Sequence, residues 1–218
     1  MKKVFLIYAL LLFTMSSFAQ SFPFDMQEIK KEATANAYDK LLKRYQKNDT
    51  TLTLSDYIIL YYGQPFQSHY KPNVHHDSVD ALNDYMNKNM EALDFKRVIG
   101  YTEDILKDFP FNIDHIYVTG VAYEKTGDQK QAAQWFYKYD KLIRTILYSG
   151  DGRSEESAYV VTKIEDEYTI VNALELQSKG QALKSKDKKF YDVITVAENN
   201  YGIEKVYFNI DLFFNIKK

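Results

Sequence analysis

Apolar residues recur every three or four positions through most of the chain and every second position near its C-terminal end, and this change of period divides the sequence. In segment 22–49, FPFDMQEIKKEATANAYDKLLKRYQKND, residues Met26, Ile29, Ala33, Ala37, Leu41 and Tyr45 share one face of a single amphipathic helix. Asp25 and Glu28 stand where a capping box opens such a helix, which stops near Asn48-Asp49. A second helix starts at Ser55 or Asp56 and carries Tyr57, Ile58, Leu60 and Tyr61. It ends at Gly63, where the left-handed cap conformation is expected.

Segment 112–136, NIDHIYVTGVAYEKTGDQKQAAQWF, resembles a tetratricopeptide repeat, with Ile116, Gly120, Tyr123, Gly127-Asp128, Ala132 and Phe136 in the repeat's order. Small Gly120 and Ala132 let two antiparallel helices approach, large Tyr123 and Phe136 fill the space beside them, and Gly127-Asp128 makes the turn. Pro110 stands where a preceding repeat would end. A shift of about 34 residues sets Leu82 opposite Ile116, Asp94 opposite Asp128 and Val98 opposite Ala132. Met86 and Asn89 then occupy the glycine and tyrosine places, so the earlier unit is degenerate.

The last helix of this region runs through Leu147, and Ser149-Gly150-Asp151-Gly152 breaks it. Beyond it, AYVV (158–161) reads as a strand and EDEYTIVNAL (165–174) as a short helix. A further strand falls between Leu174 and Lys186. A hairpin turns at Asn199-Asn200-Tyr201-Gly202, with Tyr191, Val193 and Val196 before it and Val206, Phe208, Ile210 and Leu212 after it. The expected class is α+β: a mainly helical, tetratricopeptide-like region over 20–152, then a small C-terminal hairpin or sheet unit with one helix over 153–218, docked on it.

Composition adds location and excludes chemistries. MKKVFLIYALLLFTMSSFAQ has a basic start, an apolar run from Val4 to Phe13 and a small-residue end, which reads as a signal peptide (1–19) cleaved near Ala19. The run is about ten residues where a membrane span needs about 20, so no stable membrane insertion is expected after cleavage. The expected destination is periplasmic or secreted. The chain has no cysteine, which removes disulfides, thiolate nucleophiles, thiolate metal sites and a lipid-modified N-terminal cysteine. A formal net charge of −2 without a basic stripe predicts no nucleic-acid partner. Nineteen tyrosines and 14 phenylalanines read first as packing between elements, and second as stacking platforms for sugar or peptide.

LYYGQPFQSHYKP (60–72), GDGRSEESAYVV (150–161) with EDEY after it, and VYFNID (206–211) together resemble the domain of unknown function 4919 family, secreted proteins of Gram-negative bacteria. The resemblance implies a secreted, helical-repeat-like protein and lends no activity and no functional residue.

The residues themselves predict no catalytic set, metal or cofactor. His75-His76-Asp77 reads as a solvated loop because adjacent side chains diverge, and His115 as a capping or packing residue. No G-x-S-x-G motif or EF-hand loop is present. Glu165, Asp166 and Glu167 are nominal glycosidase carboxylates, but acids at a helix start are expected to be solvated. The candidate ligand-binding residues are Gln64, Gln67, His69 and Tyr70, polar tips beside Phe66 on a turn fixed by Gly63, Pro65 and Pro72. The competing reading packs Tyr61, Tyr62, Phe66 and Tyr70 inward and gives the amides to the backbone. The leading functional expectation is a non-enzymatic scaffold for a protein or peptide partner. A small-ligand or glycan binder using Tyr61–Tyr70 is the alternative, and a carboxylate-dependent hydrolase ranks last.

Overall fold

Thr34 interrupts the first predicted helix: its hydroxyl donates to the carbonyls of Lys30 and Lys31 at 3.0 Å, and Ala35 after it is extended. The structure is a computed structural model and describes residues 23–68, 70, 74–89 and 91–214. The single helix expected over 26–48 is therefore two, α1 (Met26–Ala33) and α2 (Asn36–Gln46). The break rotates the buried stripe. Ile29 and Ala33 are buried on α1, but on α2 it is Tyr38 and Tyr45, while Ala37 is exposed and Leu41 half-buried.

Helix α3 (Leu54–Gly63) opens with a capping box in which Asp56 N–H donates to Thr53 Oγ1 (3.2 Å) and Thr53 N–H to Asp56 Oδ2 (2.8 Å). Tyr57, Ile58, Leu60, Tyr61 and Tyr62 are all buried, as befits a helix that carries no polar residue but tyrosine after its first turn. Gly63 does not adopt the left-handed conformation expected of it. Its φ of −85° and ψ of −21° are helical, and the chain continues into a 3-10 turn, Gln64–Phe66. Glycine is required there by space: a Cβ would lie 2.8 Å from Ala33 Cβ and 3.0 Å from Tyr38 Cε2.

Four more helices follow: α4 (Asp77–Lys88), α5 (Phe95–Asp108), α6 (Ile113–Lys125) and α7 (Gln129–Leu147). Leu82, Val98, Ile105 and Ala122 form a buried cluster shared by α4, α5 and α6. Asp94 caps α5 by accepting from Lys96 N–H (3.0 Å), and Asp128 opens α7 by accepting from Gln131 N–H (3.0 Å). Gly127, at φ +85°, turns the chain between α6 and α7.

Four strands form one sheet in the order β1-β4-β3-β2: β1 (Tyr159–Val160), β2 (Ser178–Lys186), β3 (Lys189–Val196) and β4 (Lys205–Asn209). β2 and β3 are antiparallel with Lys186 opposite Lys189, joined by Asp187 and Lys188, both at positive φ as a two-residue type I′ turn demands. β3 and β4 form the expected hairpin. Asn199 organises its loop, accepting from the N–H groups of Tyr201 (3.1 Å) and Ile203 (3.2 Å). β1 runs parallel to β4. α8 (Glu165–Ala173) matches the expected helix.

The strand expected to reach Leu212 ends earlier. Asn209 Oδ1 accepts from Asp211 N–H (3.0 Å), and a short helix α9 (Asp211–Phe214) begins there. The chain is thus α+β, helical first and sheet-forming last. Its contacts divide it into two compact units, 26–145 and 146–214, the latter with 23–25. Among the described residues no helix is long and apolar enough to cross a membrane.

Gly63→Ala is expected to lower stability by about 1–3 kcal/mol, because overpacking against Ala33 and Tyr38 outweighs alanine's better helix propensity. Urea unfolding checks it, and a stabilised variant would contradict the close approach.

Candidate functional site

The turn after α3 holds three of the four candidate ligand-binding residues, and the fourth, His69, lies outside the described residues together with Pro72. Gln64 is buried at the head of the turn. Gln67 turns its side-chain amide inward, Nε2 donating to Ala33 O (2.8 Å) and Gly63 O (3.2 Å), and so closes the C-terminal end of α1. Tyr70 is half-buried, and its N–H donates to Gln67 O (3.1 Å). Tyr61 and Tyr62 are fully buried with their rings edge to face at 5.0 Å, and the Tyr62 hydroxyl donates to Thr145 O (3.3 Å). Lys30 Nζ stands 5.5 Å over the Phe66 ring.

The described histidines pair locally. His75 Nε2 lies 2.9 Å from Asp80, both exposed. His76 Nδ1 accepts from Ser78 N–H (3.1 Å), which places the ring proton on Nε2, facing Asp108 at 3.4 Å. His115 Nδ1 meets Asn112 Oδ1 at 2.8 Å in the cap of α6. Among the described residues no three such groups converge as metal ligands do.

The acidic run departs from expectation. Glu165 is exposed, but Asp166 and Glu167 are buried rather than solvated. They share the inward face of α8 with Ile170 and Val171, three and four positions on.

A second group of side chains is presented outward. Tyr117 on α6 is 41 % exposed, and its ring lies 5.8 Å from Phe136 and 5.1 Å from Tyr139 on α7. Phe136 and Tyr139 are half-buried. Position 120 sets this arrangement, since a Cβ there would stand 2.9 Å from Phe136 Cε1. Burial pushes the Tyr139 hydroxyl up to about 12, with Asp114, Tyr117 and Asp140 adding to the effect. Nearby, the Tyr123 hydroxyl donates to Glu103 Oε1 at 2.7 Å. Sequence reasoning overlooked Tyr117 and Tyr139. The signal was present, because Tyr117 falls off the buried register of Ile113, Ile116 and Gly120.

A helical unit joined to a unit with a four-stranded mixed sheet defines an α+β protein with an aromatic face on its helices. The family model described as Domain of unknown function (DUF4919) matches residues 25–218, and the chain belongs to that family. Neither a curated protein nor a solved structure matches it. The described parts of the three stretches that carried the resemblance fall at the end of α3, from the turn after α7 through β1 to the start of α8, and at β4 leading into α9.

One charge lies within the helical unit's own packing. Lys138 on α7 is 3 % exposed, with Nζ 4.3 Å from the ring centres of both Tyr45 and Trp135. Burial lowers its pKa to about 7, and the two ring faces return part of what desolvation removes. The unfolded chain keeps the proton up to about 10.4, so between about 7 and 10.4 it binds more protons than the native state. Stability from this group therefore rises with pH across that window, while below about 7 both states are charged and the penalty is constant.

Lys138→Met is expected to stabilise the protein by on the order of a few kcal/mol near pH 6, with the gain shrinking toward pH 10. Urea unfolding of both proteins across that range checks it. A gain independent of pH would show that the ammonium is not desolvated.

Proposed function

We propose that the protein is a secreted or periplasmic, non-enzymatic scaffold that binds an extended protein or peptide segment across Tyr117, Phe136 and Tyr139. The observation that carries this reading is the ring cluster itself, one member well exposed, with Phe136 seated by the close approach at Gly120. Tyrosines held in place offer large amphipathic contact area at low entropic cost, which is why such residues dominate binding hot spots. Asp114, close enough to raise the Tyr139 hydroxyl, favours a partner segment that carries lysine or arginine, and these cations also suit tyrosine faces. The tetratricopeptide-like register of α6 and α7 supports the same use, since helical repeats commonly bind extended segments. The N-terminal pattern of basic, apolar and small residues supports export.

Affinity capture from the cell envelope is expected to recover a partner with the wild-type protein. The Tyr117→Ala/Tyr139→Ala variant should lose binding by about tenfold or more while remaining folded by circular dichroism. Equal capture by both proteins would refute the aromatic face as the binding surface. Mass spectrometry of the periplasmic protein is expected to find a chain beginning at Gln20, and a cytoplasmic chain retaining residues 1–19 would refute export.

A further inference from the structure

Helix α8 carries a carboxyl group that no cation answers. Glu167 is fully buried, and Asp192 of β3, also buried, comes up beneath it. Gln181 of β2 joins the two: its Nε2 donates to Glu167 Oε2 at 3.2 Å and to Asp192 Oδ2 at 2.7 Å. The β2–β3 register explains the reach, since Gln181 faces Ile194 and Leu183 faces Asp192, making Gln181 and Asp192 diagonal neighbours on one face. Gln181 Oε1 in turn accepts from the Tyr168 hydroxyl at 2.5 Å, and both of these residues are exposed. Among the described residues Glu167 Oε1 has no hydrogen-bond partner.

The groups that act on Glu167 are all acidic: Asp192 from β3, and Asp166 and Glu165 from its own helix. β2 presents the neutral Gln181 here, while Lys184 and Lys186 alternate to the other face and pair with Glu155 at 3.6 and 3.1 Å. β4 sets Phe208 opposite Asp192. Two ionised carboxylates on one amide in such surroundings repel without compensation, whereas a neutral acid beside a carboxylate forms a strong hydrogen bond.

We propose that Glu167 keeps its proton beside Asp192, and that this proton is a latch fastening α8 to the β2–β3 hairpin beneath a Tyr168–Gln181 cover. With the proton present, the Glu167 O–H donates to the Asp192 side chain and Gln181 bridges both. Hydroxide removes the proton as water and leaves Glu167 a buried anion with no donor toward Asp192, so the first turn of α8 parts from the hairpin and solvent enters under the cover. Burial first, then Asp192, then Asp166 and Glu165 raise the Glu167 pKa to about 9. An unfolded glutamate releases its proton near 4.3. The native state alone holds the extra proton between these values, so the latch is complete below about 4.3 and lost as pH rises through about 9.

The direct test is carboxyl ¹³C NMR on protein labelled at glutamate Cδ, with the Glu167 resonance identified by its loss in Glu167→Gln. A titration midpoint near 9 is expected, and a midpoint in the ordinary glutamate range overturns the proposal whether or not the variant folds. A second reading is thermal unfolding against pH. The Glu167→Gln amide donates to Asp192 and still accepts from Gln181, so the variant should gain on the wild type steadily from pH 5 to pH 9. Amide exchange of α8 at pH 9, relative to the variant, should be faster in the wild type. Parallel pH profiles with equal α8 exchange would overturn the latch.

Discussion

Phe136 lies against α6 because position 120 has no side chain to hold it off. With a Cβ only 2.9 Å from the ring edge, no other residue fits without displacing the ring, so a single hydrogen atom sets the depth at which α7 meets α6. That depth fixes where Phe136 meets Tyr117, and Tyr139 meets Tyr117 at nearly the same distance. The same device recurs at Gly63, where α3 passes Ala33 and Tyr38. Close approach at glycine, rather than length of helix, gives the helical unit its definition.

The abundance of tyrosine follows from how this unit is tied together. Tyr38 donates to Leu60 O (3.0 Å), Tyr45 to Pro110 O (2.7 Å) and Tyr62 to Thr145 O (3.3 Å), each ring filling the core while its hydroxyl meets a main-chain carbonyl. Burial raises the hydroxyl pKa of Tyr38 and Tyr45, so these donors keep their protons throughout the ordinary pH range. Phenylalanine in these places would leave the carbonyls without that donor. Lys138 and Glu167, buried as well, differ from the tyrosines. Each is pushed toward its neutral form, and over pH 7 to 9 their effects on stability run in opposite directions.

Much of the architecture is written in the order of residues, where the signal is local. The alternation of Tyr191 and Val193 with their neighbours, and the turn at Asn199 to Gly202, mark the β3–β4 hairpin because facing and turning are decided within a few residues. Thr34 was opaque, since its hydroxyl ends a helix whose apolar period runs straight on. Gly63 was located for the wrong reason: glycine marks a turn and a close approach alike, and only Ala33 and Tyr38 decide between them. Glu167 looks solvated in a run of three acids until strands more than ten residues away bring Gln181 and Asp192 to it. Gln67 is similar, its amide engaged by a carbonyl at Ala33, 34 positions earlier.

We propose that the Tyr117 face of α6 and α7 meets a partner in the cell envelope. A photoreactive benzophenone side chain at position 117 tests it most directly, with one at the comparably exposed Tyr201 of the sheet unit as reference. Irradiation of living cells is predicted to yield a defined higher-mass adduct from position 117 and none from position 201. No adduct from position 117, or the same adducts from both, would contradict the proposed interface.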